Sequence, residues 1–495
     1  MGAAHVSTCV SFPNLFVYSQ GETYPEAMKY AAHTPHVAQA NAPAAANAAP
    51  PCRKGLRPIL AILLALLPFG MWAQERAVIP DNSVTLADFG AVPDGVTLNT
   101  EAFKKAIASL SKQGGGHLNV PEGLWLTGPI VLKDAIDLHL ERGAVILLSP
   151  DKKDSYDGKS VKNGISASKR HDVSITGEGI IDGNGAMWRP VKRSKVSDVE
   201  WKDYRRMGGT VTDDGSLWYP FALKHFEDIA DNPRSQEKMR VHLVRFNECK
   251  RVTVEGVTIQ NAPKFHLVPA RCEDVVIEGV TVRCPWNAQN GDGIDIMHCQ
   301  KVRIAHCSVD VGDDGICLKA GAGEKGVQGG PCKDIVIEHN TVFHAHGGFV
   351  IGSEFSGGME NIIVRHNIFC GTDTGLRFKS APERGGKTSN IRISDIVMTD
   401  IRGEAIVFQT TYADRPAGYE DNEAATTQAY LPEFTDIAIE RLVCRGCSAA
   451  IRSKGSIKMI HDISLKDVTI FYNETERDID DPLSIKMENV RLLTF

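Results

Sequence analysis

From about residue 170 a four-residue pattern of polar and apolar positions recurs along the chain. It reads DVSI, RVTV, DVVI, KVRI, DIVI, NIIV, NIRI, DIAI and DISL, ending on Ile175, Val254, Ile277, Ile304, Ile337, Val364, Ile393, Ile439 and Leu465. Between Val254 and Ile393 these markers are spaced by 23, 27, 33, 27 and 29 residues. Alternating β-branched residues at such intervals, bounded by Gly, Asn and Asp turns, predict the coils of an all-β, parallel β-helix. A single coil cannot bury its own apolar face and must stack on the next. A second strand keeps step with the first: Gly293-Ile-Asp-Ile, Gly315-Ile-Cys-Leu, Gly348-Phe-Val-Ile and Gly375-Leu-Arg-Phe superpose on their glycines. Positions one and three after each glycine are apolar and are expected inward, so positions two and four share an outward face. Upstream, Val84 to Phe89 reads as a strand. Thr100 to Gln113 reads as a short N-terminal capping helix with a Thr N-cap, stopped by the glycines at 114 to 116.

Cys249, Cys272, Cys299 and Cys332 each lie five residues before their marker, and Met359 takes that place in the next coil. Equal phase predicts a buried ladder with rungs about 4.8 Å apart. Packing explains such a ladder better than a metal site does, although a disulfide between two rungs stays open in an exported protein. Cys444 and Cys447 form a C-x-x-C outside the usual context of redox or zinc motifs.

Composition narrows the reading. With 495 residues, 42% hydrophobic and 23% charged, the chain can bury a large core. A net charge of −6 supplies no global basic field, so neither nucleic acid nor an anionic membrane is expected as a partner. The one long apolar run, Ile59 to Ala73, follows Arg53, Lys54 and Arg57, contains Pro68 and is too short to span a bilayer comfortably. That order predicts a signal peptide over 53–73, cleaved after Ala73, with a membrane anchor as the alternative. The mature protein is then expected to be periplasmic or secreted, without an anchor, and a monomer. Residues 1–52 are expected to be a disordered extension or a start site assigned too far upstream; residues 74–495 form one expected β-helix domain.

Counting from the aligned glycines collects a chemical constellation. Asp292 and Asp314 fall one residue before theirs, on consecutive rungs; Asp313 and His346 fall two before. Arg377 is two after its glycine, and Lys319 and Lys379 are four after theirs, with Gly352 between them expected to leave room for a sugar. Stacked like charges about 5 Å apart separate carboxyl pKa values, giving the acid and base needed to break an acetal. The cations suit a substrate bearing its own carboxylate. Asp295 faces the same way in a supporting role.

These residues resemble a known family. N-G-D-G-I-D at 290–295, G-D-D-G at 312–315, A-H-G-G at 345–348 and R-F-K at 377–379 are similar, in order, to N-T-D, (G/Q)-D-D, G-H-G and R-I-K of the polygalacturonase family, glycoside hydrolase family 28. The resemblance runs from ADFGAVPDG at Ala87, through IDGNG at 181–185, to about residue 470. It implies a single-stranded, right-handed parallel β-helix of the pectin lyase-like kind, and hydrolysis with inversion and without metal or cofactor. It also implies a pectic polysaccharide or oligosaccharide as substrate. By motif match Asp313 is the general acid, Asp292 and Asp314 hold and deprotonate the water, and His346 supports the acid. Arg377 and Lys379 bind the galacturonate carboxylate, and Lys319 and Asn290 are added as substrate-binding candidates. Gly291, Ala345 and Phe378 depart from the family pattern and are expected to alter adjoining subsites.

Homogalacturonan is favoured over the rhamnose–galacturonate backbone. The long steps Ile175–Val254 and Ile393–Ile439, the first carrying Trp188, Trp201, Trp218, Arg205 and Arg206, favour exo action with tryptophan faces for stacking on sugars. The rivals are a Ca²⁺-dependent pectate lyase and a non-catalytic carbohydrate-binding solenoid.

Overall fold

All nine markers stand in one ladder of parallel strands. Ile175 pairs with Val254, and the register continues through Ile277, Ile304, Ile337, Val364, Ile393 and Ile439 to Leu465. In this computed structural model, which describes residues 74–220, 233–412 and 429–495, three such ladders wind into a right-handed parallel β-helix. The expected N-terminal extension and signal peptide lie outside the described residues. The ladder also runs back through Leu138 and Leu118 and forward to Met487.

The pattern has a backbone cause. The residue three before each marker (Asp172, Arg251, Asp274, Lys301, Asp334, Asn361, Asn390, Asp436 and Asp462) has φ between 52° and 57°. This left-handed conformation is tolerated best by Asp and Asn among non-glycine residues, and seven of the nine are Asp or Asn. The kink it makes sets the following three residues on the pleat that turns the marker inward. Each marker is almost wholly buried, which stabilises the fold by about 1.5–3 kcal/mol per side chain.

The helix forms at Thr100–Lys112 and buries Ala102, Phe103, Ala106, Ile107 and Leu110. Its N-cap is Asn99 rather than Thr100; the Thr100 hydroxyl instead accepts the Gly128 N–H at 2.7 Å. The expected strand over 84–89 is shorter. It ends at Thr85, and Leu86–Phe89 is a 3₁₀ turn that buries Leu86 and closes on Gly90 (φ 80°). The four ladder cysteines and Met359 are buried, and the Cys249 N–H donates to Cys272 Sγ at 3.4 Å. All ten described cysteines are free thiols.

The long step after Ile175 contains a helix at Asp198–Arg206, opened by a Ser197–Glu200 capping box, and a small antiparallel sheet of Val191–Lys192, Leu217–Tyr219 and Thr210–Val211. Trp188 and Trp218 are buried, the latter donating to Gly208 O at 2.7 Å, so they pack this insertion instead of offering faces to sugars. Trp201 packs against the Arg193 guanidinium. Among the described residues the exposed tryptophan is Trp286, on the turn that precedes Asn290.

Candidate active site

The third ladder carries the constellation. Ile294, Ile316, Phe349 and Leu376 pair in sequence, so the four preceding glycines superpose as expected. These apolar side chains point into the core, and the polar side chains between them face the other way. Asp292, Asp313 and Asp314 come together with carboxylate oxygens within 4.8 Å of one another. Asp292 and Asp314 are buried, while Asp313 is partly open.

Each acid meets a cation or an imidazole. Lys379 Nζ donates to Asp314 Oδ2 at 2.7 Å, and Arg377 Nη1 lies 3.4 Å from Oδ1. The Tyr412 ring lies 5.5 Å from the Arg377 guanidinium and 5.1 Å from Lys379 Nζ. His346 Nδ1 is 3.1 Å from Asp313 Oδ1, which also accepts the Asp314 N–H at 3.0 Å. Lys319 points beneath the acids, with Nζ 2.9 Å from Asp292 Oδ2 and 3.0 Å from Asp295 Oδ2, and 4.5 Å from the centre of the Phe265 ring. It is buried, so its ammonium serves the protein's own carboxylates. Asn290, at φ 50°, accepts a hydrogen bond at Oδ1 from Arg240 Nη2 at 2.7 Å and anchors the turn before Asp292.

The charges divide unevenly. Asp292 and Asp295 share one cation, so burial and mutual repulsion outweigh Lys319: Asp295 is raised to about 6 and Asp292 well above the ordinary carboxylate range. For Asp314 burial pushes upward, yet Lys379 and Arg377 prevail and hold it low. Burial also pushes Asp313 upward, but the hydrogen bond with His346, aided by Lys379 and Lys319, holds it well below its ordinary value. Proton affinity within the cluster is therefore raised at Asp292 and lowered at Asp313 and Asp314.

Three sequence departures acquire reasons. Phe378 points inward, stacked on Phe408 with ring centres 4.5 Å apart, and lines the core rather than a subsite. Ala345 is a core residue. A Cβ on Gly291 would lie 2.9 Å from Cys284 Sγ, which excludes a threonine without repacking. Gly352 opens no space; at φ 110° it lies so close to the Lys379 carbonyl that a Cβ would collide with it.

Irregular segments supply what the repeat cannot. Lys195, from the insertion, places Nζ 3.2 Å from Gly312 O and 3.4 Å from His346 Nε2. Asp373 Oδ2 lies 3.7 Å from the same ring nitrogen. Arg240 closes the insertion, and Tyr412 begins the second long loop. Beyond Arg377 a groove cavity of about 610 Å³ continues past Asp373, Arg402, Glu404 and Arg452. Acids able to donate and accept protons, lying beside a cationic pair at the floor of a groove, suit cleavage of a glycosidic bond next to a carboxylate.

Comparison with known proteins agrees with this geometry. The sequence profile of glycosyl hydrolases family 28 matches residues 204–482. A probable polygalacturonase of Vitis vinifera is 29% identical over 394 residues, covering 76% of this chain and 71% of that one. An exo-poly-alpha-D-galacturonosidase of Dickeya chrysanthemi is 28% identical over 369 residues, 71% of this chain and 61% of the relative. Among solved structures, a hyperthermoactive exopolygalacturonase from Thermotoga maritima superposes with a TM-score of 0.69 at 31% identity, covering 85% of this chain and 94% of its own. With its β-helix, its acid cluster and this match over more than half its length, the chain belongs to glycosyl hydrolases family 28 and is a glycoside hydrolase.

Proposed function

We propose that the protein hydrolyses α-1,4-galacturonosidic bonds in pectic polysaccharide or its oligomers, acting from chain ends and with inversion. The observation that carries this reading is the pairing of Arg377 and Lys379 with the single carboxylate of Asp314, beside two further acids. Two cations against one acid leave a positive surplus for the carboxylate of a bound galacturonate.

In the proposed reaction Asp313 gives its proton to the bridging oxygen, and the C1–O bond breaks with its electron pair on that oxygen. Water held by Asp292 and Asp314 attacks C1 from the opposite face, its proton passing to Asp314. The products are a free 4-hydroxyl and a new reducing end of inverted configuration. Asp313 is ionised in the free site, so substrate must raise it. A galacturonate carboxylate on Arg377 and Lys379 offsets the cations that hold Asp313 down, and displaced water deepens its burial. Both changes act in the same direction. The oxygens lie closer than the roughly 6.5–9.5 Å usual for inverting enzymes, so inversion rests on the family resemblance and on two carboxylates serving one water.

Exo action is supported by the insertion reaching the catalytic centre through Lys195 and by the exo-acting relatives. Metal independence is supported by the lysines and arginine that already neutralise the acids, where Ca²⁺ would need six to eight oxygens. We further infer an exported monomer, one hydrolase domain over 74–495 behind a signal peptide at 53–73.

The raised proton affinity of Asp292 favours a second reading, in which Asp292 is the acid. The two are separated by Asp313→Asn and Asp292→Asn on trigalacturonate and on an aryl α-galacturonide with a good leaving group. Loss of the acid spares the aryl substrate; loss of a base impairs both. NMR of the first product should show the β-anomer, and chromatography of polygalacturonate digests should show monomer release from the outset. Formation of an unsaturated, ultraviolet-absorbing product that requires Ca²⁺ would replace hydrolysis by elimination. Full activity in Asp313→Asn and Asp292→Asn alike would remove the acid–base assignment.

A further inference from the structure

The winding phase does not collect Lys195. It ends the 3₁₀ turn Arg193–Lys195 of the insertion and is half-buried against the site, where burial lowers its proton affinity and the charge of Asp313 supports it. A lysine ammonium has three N–H donors and no lone pair. Its approach to His346 Nε2 at 3.4 Å therefore requires that nitrogen to accept, which leaves the imidazole proton on Nδ1, 3.1 Å from Asp313 Oδ1. Because the same Oδ1 accepts the Asp314 N–H, it already receives two hydrogen bonds. The acid's own proton belongs on the other oxygen.

We propose that Lys195 is a positioning residue for the acid: by holding His346 as the neutral Nδ1–H tautomer, it keeps the proton of Asp313 on Oδ2, available to the glycosidic oxygen. This rests on the reading of Asp313 as the acid. The charged groups around His346 are Asp313 from the preceding coil, Lys195 from the insertion, and Asp373 from the following coil, itself 3.6 Å from Arg402; Arg377 packs against the neighbouring Gly347. Asp373 favours the opposite tautomer, and Lys195 is the nearer of the two to Nε2. Without Lys195 the ring proton moves to Nε2, facing Asp373. Nδ1 then becomes an acceptor and draws the Asp313 proton to Oδ1, away from substrate.

The test uses the full-length protein labelled with ¹⁵N in its histidine rings, as wild type, Lys195→Met and Lys195→Arg, with His346→Asn to assign the signal. Wild type and Lys195→Arg should show a protonated Nδ1, and Lys195→Met a protonated Nε2. On trigalacturonate kcat should fall about 10- to 100-fold in Lys195→Met, part of the 10²–10⁴ general acid catalysis supplies; on the aryl substrate it should fall less than about threefold. The basic limb of the kcat/KM profile should move in Lys195→Met and return in Lys195→Arg. A wild-type ring protonated on Nε2 overturns the proposal outright, even if Lys195→Met fails to fold. An unmoved tautomer and pH profile in Lys195→Met overturn it too, while an inactive Asp313→Asn leaves the catalytic reading standing. An active Asp313→Asn removes the acid assignment itself, whatever the tautomer.

Discussion

Replacing Lys379 with Met takes one cation from a buried pair while keeping the side chain's length and apolar stem. Its Nζ is 2.7 Å from Asp314 Oδ2, and both side chains are less than a tenth exposed. At an effective dielectric of about 20 the lost attraction is about 6 kcal/mol, a gross figure. It is a ceiling, because Arg377 remains 3.4 Å from the other oxygen. The Lys379 ammonium helps hold the Asp314 carboxyl below its ordinary range, so Lys379→Met should raise it. Asp314 must be ionised to act as base, so the acidic limb of kcat/KM should move up in pH. The stability effect has a definite sign. In wild type the depressed acid stabilises the fold above the unfolded carboxylate pKa of about 3.9, an advantage lost as pH falls through the lower folded value. In the variant the acid is buried with a weaker partner. That costs up to about 3–5 kcal/mol near neutrality and is relieved as Asp314 takes up a proton. Urea unfolding at pH 7 and pH 4.5 should therefore show a destabilisation that shrinks on acidification. An acidic limb that stays in place, with a destabilisation independent of pH, would refute the reasoning.

Phe378→Ala removes a ring stacked on Phe408 beneath Arg377 and Lys379; it should lose about 3–5 kcal/mol in chemical unfolding while leaving both pH limbs in position. Methyl esterification of oligogalacturonides should matter at one sugar. At the sugar held by Arg377 and Lys379 it should lower kcat/KM about 10- to 100-fold, the loss of a charge-assisted hydrogen bond. One sugar further into the groove it should change little, because Arg402, Arg452 and Lys454 are already paired with Asp373, Glu404, Asp478 and Asp480. Competing cleavage rates followed by chromatography measure both positions.

The winding of a parallel β-helix turns sequence phase into distance, which is why so much of the site was legible. Residues at equal offsets from Gly293, Gly315, Gly348 and Gly375 become neighbours about 4.8 Å apart, so counting offsets along the sequence brings Asp292, Asp313, Asp314 and His346 together. Phase fixes a position on a rung, and no more. Lys319 and Lys379 occupy the same offset, yet their surroundings differ. Asp295 lies two residues after its glycine on the rung beside Lys319, whereas Arg377 holds that offset on the rung of Lys379. One lysine is therefore drawn down between two carboxylates, and the other shares a single carboxylate with an arginine. The coils of Leu118 and Leu138 escaped notice because their turns use other residues, although their strands keep the register.

What phase could not reach came from the two long steps between markers. Lys195 and Arg240 lie on an insertion with its own small sheet and helix, and Tyr412 opens the second loop; none of them shares an offset with anything in the repeat. The regular coils bring four buried or half-buried carboxylates to one patch, Asp292, Asp295, Asp313 and Asp314, and set Lys319, Arg377 and Lys379 beside them. A further cation, Lys195, is delivered by the insertion to the far side of His346. Its charge sits nearest Asp313, the one acid of the four that no ladder cation touches directly. The solenoid thus sets where the carboxylates are and which of them the ladder cations hold ionised, and the insertion adds one more cation on the far side of His346.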